Sequence, residues 1–331
     1  MSEIIQGQIE EYWRNTAQTS MDRAARELEI EQREYEQFAK ERGGEESFVG
    51  RQVELQAILD YVGSDSRWPL VIHGASGCGK TALLARASQE VAKTRNRIER
   101  FIGVAPRSSD LRSLLGSLCQ ELRQRNPRAE ALPTDIKELR EEFSQHLQAA
   151  TPEQPLILFL DALYQLADAD NGRLLKWLPP GSLPAYVKLV VSCLSGRATG
   201  DPAGQPYAEL KRSQIPAENF INLDVLSEAE ARLLLFERWL PKAGRKIGDD
   251  QRARIEHRLA SPACRQANPA KKILSGTWPN RCLRVGMARG RRGLVNSRSS
   301  LTKPACAALP GISRLARQMI SHEQFAGCPR L

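Results

Sequence analysis

The sequence runs to 331 residues, 41% hydrophobic and 26% charged, with a formal net charge of +9. That length permits two or three domains with ample core. No apolar run approaches the ~20 residues of a membrane span, and Met1-Ser2-Glu3 does not open a signal peptide. A soluble cytoplasmic chain without membrane contact is therefore expected. The positive balance invites a nucleic-acid partner, but its distribution argues against one. Residues 261–331 hold 13 Lys or Arg against a single acid, Glu323, so the whole excess lies in the tail and the preceding residues are slightly acidic. The seven cysteines show no C-x-x-C or Cys/His spacing for zinc, and nothing suggests a disulfide framework.

Residues 1–46 read as charged helix, with twelve acids against six bases. Ile5, Ile9 and Trp13 give one short apolar stripe, and Leu28, Tyr35 and Phe38 a sparser second one. A solvated helical arm or linker is expected. The alternative is a partner-binding helix whose stripe needs another chain. Gly43 and Gly44 end the segment. Phe48-Val49-Gly50-Arg51 then opens a unit spanning 47–225, and a short helix follows with Val53, Leu55, Ile58 and Leu59.

Pro69 to His73 is a short apolar strand candidate. It runs into Gly74-Ala75-Ser76-Gly77-Cys78-Gly79-Lys80-Thr81, which fits G-x-x-x-x-G-K-[ST], the phosphate-binding loop of P-loop NTPases. The chemistry needs this spacing. Backbone N–H groups of Ala75 to Gly79 curl round a phosphate, and glycine lets the chain approach that closely. Lys80 supplies a point charge to the β- and γ-phosphates, and the Thr81 hydroxyl ligates Mg²⁺. The next helix starts beneath the loop, so its positive end also faces the anion. Leu83, Leu84, Ala87 and Val91 fall on one face of it. All eight loop residues are nucleotide-binding candidates.

Arg100 to Val104 is a second strand candidate. Asp110 can cap a helix bearing Leu111, Leu114, Leu115, Leu118 and Leu122. A further helix carries Ile136, Leu139, Phe143 and Leu147. Pro155-Leu-Ile-Leu-Phe-Leu-Asp161 is an unbroken apolar run ending in an acid. This is how a buried parallel strand delivers a Mg²⁺-binding carboxylate at its C-terminal end. Asp161 is thus the second metal candidate beside Thr81, and Lys80 with Asp161 is the catalytic pair.

Asp161-Ala-Leu-Tyr-Gln-Leu, continued by Asp168, Asp170-Asn171-Gly172-Arg173 and Leu174-Leu175-Lys176-Trp177-Leu178-Pro179, resembles the NACHT-type branch of STAND NTPases, themselves AAA-like. The buried run Val187–Cys193 and the Leu226-Ser-Glu-Ala-Glu230 segment, where Ser227 and Glu230 form a capping box, agree with it. The resemblance covers roughly residues 47–260. It implies an α/β fold with a parallel sheet flanked by helices, and a partial helical lid over 226–260 from the helices Ser227–Leu240 and Gln251–Ala260. It also implies ATP (or GTP) and Mg²⁺ as ligands, and base contacts from Phe48, Val49 and Arg51. The implied role is a nucleotide-dependent switch or scaffold that acts on a homo-oligomer or a signalling partner. One position departs from the pattern. Family members carry a second acid three residues after Asp161, where it polarises the attacking water, and this chain has Tyr164. Tyrosine is a poor base at neutral pH, with an ordinary pKa of about 10. Binding with slow hydrolysis is therefore expected, and Asp168 or Asp170 could substitute only if the backbone folds back. Ser192 and Arg197 lie where such proteins sense the γ-phosphate.

After Ala260 the pattern is lost. The tail, expected to be poorly ordered, reads either as a basic arm for acidic surfaces or as a segment out of register with the fold, from a shifted frame or truncated gene model. The abrupt loss of acids favours the second. Three rivals remain beside the switch. They are a nucleic-acid-associated ATPase using the tail, a small-molecule kinase, and a remnant that does not hydrolyse nucleotide.

Overall fold

The computed structural model describes residues 2–45, 48–127, 131–179, 181–242, 244 and 246–260, with side chains from Arg23 onward, Trp239 and Lys242 excepted. These residues belong to the compact unit Met1–Pro279. The basic tail, and with it both readings of its charge, lies outside them. So do the side chains of Ile5, Ile9 and Trp13.

Five parallel strands form one sheet in the order β2-β3-β4-β1-β5. They are β1 (Leu70–Gly74), β2 (Ile98–Phe101), β3 (Leu156–Asp161), β4 (Val187–Leu194) and β5 (Phe220–Asn222). The three central strands are apolar runs because helices cover both faces. One face packs Val71, Leu158, Leu160, Leu189 and Val191 under α4 (Leu111–Arg125) and α5 (Ile136–Gln148). The other packs Ile72, Ile157, Phe159 and Val190 under α2 (Gln52–Gly63) and α3 (Lys80–Ala92). Asp110 caps α4 by accepting from the Ser113 amide at 2.8 Å, as its place before the apolar stripe predicts.

Three expectations need correction. The first concerns α1, a single helix over Ser2–Gly43. It is not a solvated arm along its whole length, because Leu28, Tyr35 and Ala39 are buried and the last two pack with Ala85, Phe101 and Ala105. The seat is partly polar. Arg100, only 1% exposed, pairs with Glu121 at 2.8 Å and lies 5.4 Å from the Tyr35 ring centroid. Glu31 of α1 accepts from the Tyr35 hydroxyl and from Ser117 of α4 at 2.8 and 2.6 Å. The second concerns β2, which starts at Ile98 rather than Arg100 and turns away at Ile102, whose amide donates to the Asp161 carbonyl. The third concerns Gly200–Pro206, a stretch whose glycines and prolines predict loop. Pro206 stands instead in the first turn of α6 (Gln205–Arg212), where its missing N–H costs nothing.

β5 leads into the helical segment expected to be a lid. Ser227 and Glu230 form the expected capping box at the start of α7 (Glu228–Arg232). The continuous helix anticipated over 227–240 is interrupted by a π-helical stretch at Leu233–Trp239 before α8 (Leu240–Lys242), and α9 (Asp249–Leu259) follows. Ala231, Leu235, Leu240 and Leu259 form a small core of their own. Among the described residues no helix is long and apolar enough to cross a membrane.

Candidate functional site

The loop between β1 and α3 takes its shape from three glycines with positive φ, namely Gly74 at 155°, Gly77 at 82° and Gly79 at 103°. Gly74 is also a close-approach position, since a Cβ there would lie 2.4 Å from the Leu223 carbonyl oxygen. Gly79 precedes α3 with no side chain capping the helix, so the first-turn amides point into the loop. A Cβ at Gly79 would meet nothing within 4 Å, so the loop leaves open space on that side.

Lys80 is buried, and its ammonium donates to the carbonyls of Gly74 and Ala75 at 2.9 and 2.8 Å. The Cys78 sulfur lies 3.6 Å from the same ammonium. Asp161, at the C-terminal end of β3, accepts hydrogen bonds from the Ser192 and Thr81 hydroxyls. Ser192 also accepts from the Ala162 amide at 2.8 Å, which ties β4 to the turn after β3. Burial pushes the Asp161 carboxyl above its ordinary range, while the two hydroxyls and Lys80 pull the other way. The Lys80 ammonium, the Thr81 hydroxyl and the Asp161 carboxylate, from two parts of the chain, therefore converge at the C-terminal ends of the strands. Among the described residues no cluster of three or more His, Cys, Asp or Glu could hold a metal ion. A hydroxyl and one carboxylate fit a hard cation that takes its remaining oxygens from phosphate and water, which is the habit of Mg²⁺.

Residues 47–191 match the AAA ATPase domain. The chain is 36% identical over 141 residues to the mouse "NACHT and WD repeat domain-containing protein 2", covering 39% of this chain and 8% of that protein. It is 30% identical over 163 residues to the human "NACHT domain- and WD repeat-containing protein 1", covering 46% of this chain and 10% of that one. The chain thus spans about a tenth or less of the length of these relatives. The Walker-type ATPase PABY2304 of Pyrococcus abyssi superposes with a TM-score of 0.42 at 14% identity, over 73% of this chain and 72% of that one, a likeness too loose to weigh on function. Residues 47–191 thus carry an AAA-type ATPase domain that is similar to NACHT-containing relatives.

In this NTPase domain the Phe48–Arg51 segment stands next to the phosphate loop. Phe48 is partly buried against the core under α2 and α3, and Val49 is half-buried. Arg51 sits at φ 63° and pairs with Glu54 at 2.9 Å. Its guanidinium donates to the Cys78 carbonyl of the P-loop at 3.4 Å and to the Asp224 carbonyl just after β5. Its backbone amide donates to Glu230 of α7. Burial pushes the Glu230 carboxyl up, but the Ser227 donors and Arg51 win and hold it below the ordinary range. Arg51 thus joins the P-loop directly to Asp224 and α7.

The remaining candidates of the NTPase domain are dispersed. Tyr164 is half-buried in a 3-10 turn, its hydroxyl 3.4 Å from the Gln165 amide nitrogen and its carbonyl held by Arg173. Asp168 is exposed and paired with Arg173 at 2.5 Å. Asp170 faces Arg112 of α4 at 3.5 Å, and its carbonyl accepts from Arg140 of α5. Their partners hold both acids towards α4, α5 and solvent. Ser192 serves Asp161, and Arg197 pairs with Asp201 at 2.8 Å. Sequence reasoning missed His73 and Ser195. The His73 Nδ1 lies 3.0 Å from the Ser195 Oγ, and the Ser195 amide donates to the Gly74 carbonyl. Adjacency to the loop was the only signal for His73. Ser195 stands one residue beyond the end of β4.

Proposed function

We propose that this domain binds ATP with Mg²⁺ and works as a nucleotide-dependent switch or scaffold that hydrolyses its nucleotide slowly. The convergence of Lys80, Thr81 and Asp161 carries the reading. The loop amides and Lys80 hold the phosphates, each hydrogen bond strengthened by charge. Thr81 and Asp161 would hold Mg²⁺, which neutralises charge on the phosphates and fixes their geometry when bound. Ser192 keeps the Asp161 carboxylate turned towards Thr81. Phe48, Val49 and Arg51 flank the base. Arg51 reaches both the P-loop and the lid root, so a ligand that displaces either would bias the arrangement of core and lid. The acceptor of that signal is a partner protein or a second copy of the chain, in the cytoplasm. Tyr164 stands where a water-polarising acid is needed, and slow turnover follows from its weak basicity.

Titration of the full chain with a fluorescent ATP analogue, with and without Mg²⁺, tests this. Saturable binding that tightens with Mg²⁺ and is lost in Lys80→Ala is expected. Absence of binding in the folded wild type, or equal affinity in Lys80→Ala, overturns it.

A further inference from the structure

The C-terminal half of α1 rests on two elements at once. Tyr35 and Ala39 share a buried cluster with Ala85 of α3 and Phe101 of β2, and the Phe38 ring lies 5.0 Å from the Phe101 centroid. The last turn of α1 presses on α3. A Cβ on Gly43 would lie 2.5 Å from the Arg86 amide nitrogen, Gln89 donates to the Ala39 carbonyl, and Arg86 pairs at 3.4 Å with Glu45 just beyond the helix.

Both footings of α1 stand beside the candidate Mg²⁺ ligands. Ala85 follows Thr81 by four residues on α3, so the two share one face of that helix. Phe101 is the register partner of Asp161 where β2 pairs with β3, and the next amide, that of Ile102, donates to the Asp161 carbonyl at 3.3 Å. The cluster that α1 closes therefore lies one helical turn and one strand away from the hydrogen bond between Thr81 and Asp161.

We infer that α1, through Phe38 and Gly43, positions the Mg²⁺ ligands Thr81 and Asp161, so that its seating on the domain raises Mg²⁺ affinity at the nucleotide site. The inference rests on the ATP and Mg²⁺ reading above. α1 bears on α3, which carries Thr81, and on β2, whose neighbour carries Asp161. Phe38 and Gly43 act through these elements rather than on the nucleotide. A hydroxyl and a carboxylate hold one cation between them only while their spacing is kept, whereas Lys80 and the loop amides grip phosphate without it. Coupling between two sites is reciprocal, so Mg²⁺ with ATP in turn holds α1 to the domain.

The test titrates the full chain with ATP at rising Mg²⁺ and, separately, in EDTA. Phe38→Ala removes the ring beside Phe101, and Gly43→Val drives the end of α1 off α3. Each should raise the Mg²⁺ concentration for half-maximal ATP binding about tenfold, within the usual range of coupling between sites. ATP affinity in EDTA should not change, and Phe38→Leu, which refills the space, should recover the wild-type Mg²⁺ requirement. A second measurement needs no variant to fold. In the wild type, backbone amides of residues 35–43 should exchange more slowly with Mg²⁺ and ATP than with ATP in EDTA. Equal loss of ATP affinity with and without Mg²⁺, an unchanged Mg²⁺ requirement in both folded variants, or exchange at 35–43 that ignores Mg²⁺ overturns the inference and leaves α1 a packing element. A wild type that binds no ATP in either condition removes the nucleotide reading itself, so the two failures are distinguishable.

Discussion

The Ser192 hydroxyl donates to the Asp161 carboxylate across two neighbouring strands while accepting from the Ala162 amide. One buried side chain thus fixes the direction of the acid and the path of the chain after it. Ser192→Ala should raise the Mg²⁺ concentration needed for half-maximal ATP binding by about tenfold, because Asp161 loses the donor that favours its charged form. Stability should fall by about 1–3 kcal/mol, from the unsatisfied Ala162 amide. An unchanged Mg²⁺ requirement would show that Asp161 is oriented without Ser192.

Lys80→Ala should lower ATP affinity by about a hundredfold or more, since it removes charge-assisted donors worth about 1.5–3 kcal/mol each. The thermal midpoint should move only a few degrees. Calorimetric titration alongside a melting curve separates the two effects.

Tyr164→Asp should raise ATP turnover with little change in affinity, by restoring an acid in the turn after β3. General-base assistance is worth about 10²–10⁴-fold where geometry is right. Brisk turnover by the unmodified chain would defeat the argument. So would a variant no faster than its parent.

Arg100→Leu should loosen α1. Its guanidinium is held by Glu121, Ser117 and the Glu99 carbonyl, and removing it takes one charge partner from the mostly buried Glu121 and a donor from Ser117, which costs about 1–3 kcal/mol. Limited proteolysis should then cut within α1 before it cuts the sheet domain. Simultaneous cleavage of both would show that the seat does not act separately.

Glu99 supplies a pH test. Burial raises its carboxyl pKa most, opposed by Arg97 and Ser88 and reinforced by Glu36 and Glu121. A folded pKa raised above the unfolded one means that the folded state binds the extra proton. The stability linked to that proton is fully present below the unfolded pKa and is lost as pH rises through the folded one. Glu99→Gln should therefore gain stability relative to wild type as pH climbs from about 4.5. A pH-independent difference in denaturant midpoints would contradict the sign.

Much of the nucleotide site is legible in the sequence because its chemistry is local. Gly74 to Thr81 encode a backbone shape over eight consecutive residues, and the apolar run to Asp161 encodes a buried strand with one acid at its end. The helical arm was legible as helix but not as core. Its buried face mixes Leu28 and Ala39 with Tyr35 and the polar Glu31, so hydrophobic periodicity is weak there. The start of β2 was hidden by Glu99 and Arg100, charged residues that are buried only because partners from α3 and α4 meet them. His73 and Ser195 stand 122 positions apart, and no local pattern announces a pair made by two strands lying side by side.

The shortest strand is also the one that leads into the C-terminal helices α7 to α9. β5 pairs with β1 through three residues only, Phe220 to Asn222, at the open edge of the sheet, and the Leu223 amide adds one more bond to the His73 carbonyl. Few hydrogen bonds must break together for this seam to part, so amide protons of 220–223 should exchange with solvent well before those of β3 and β4. Leu223 also lies against Gly74, so opening the seam would remove a wall of the phosphate loop at the same moment. Fraying at one sheet edge and loosening of the nucleotide's anchor are then a single event, and slowed exchange at 220–223 becomes a gauge of occupancy in the loop beside it.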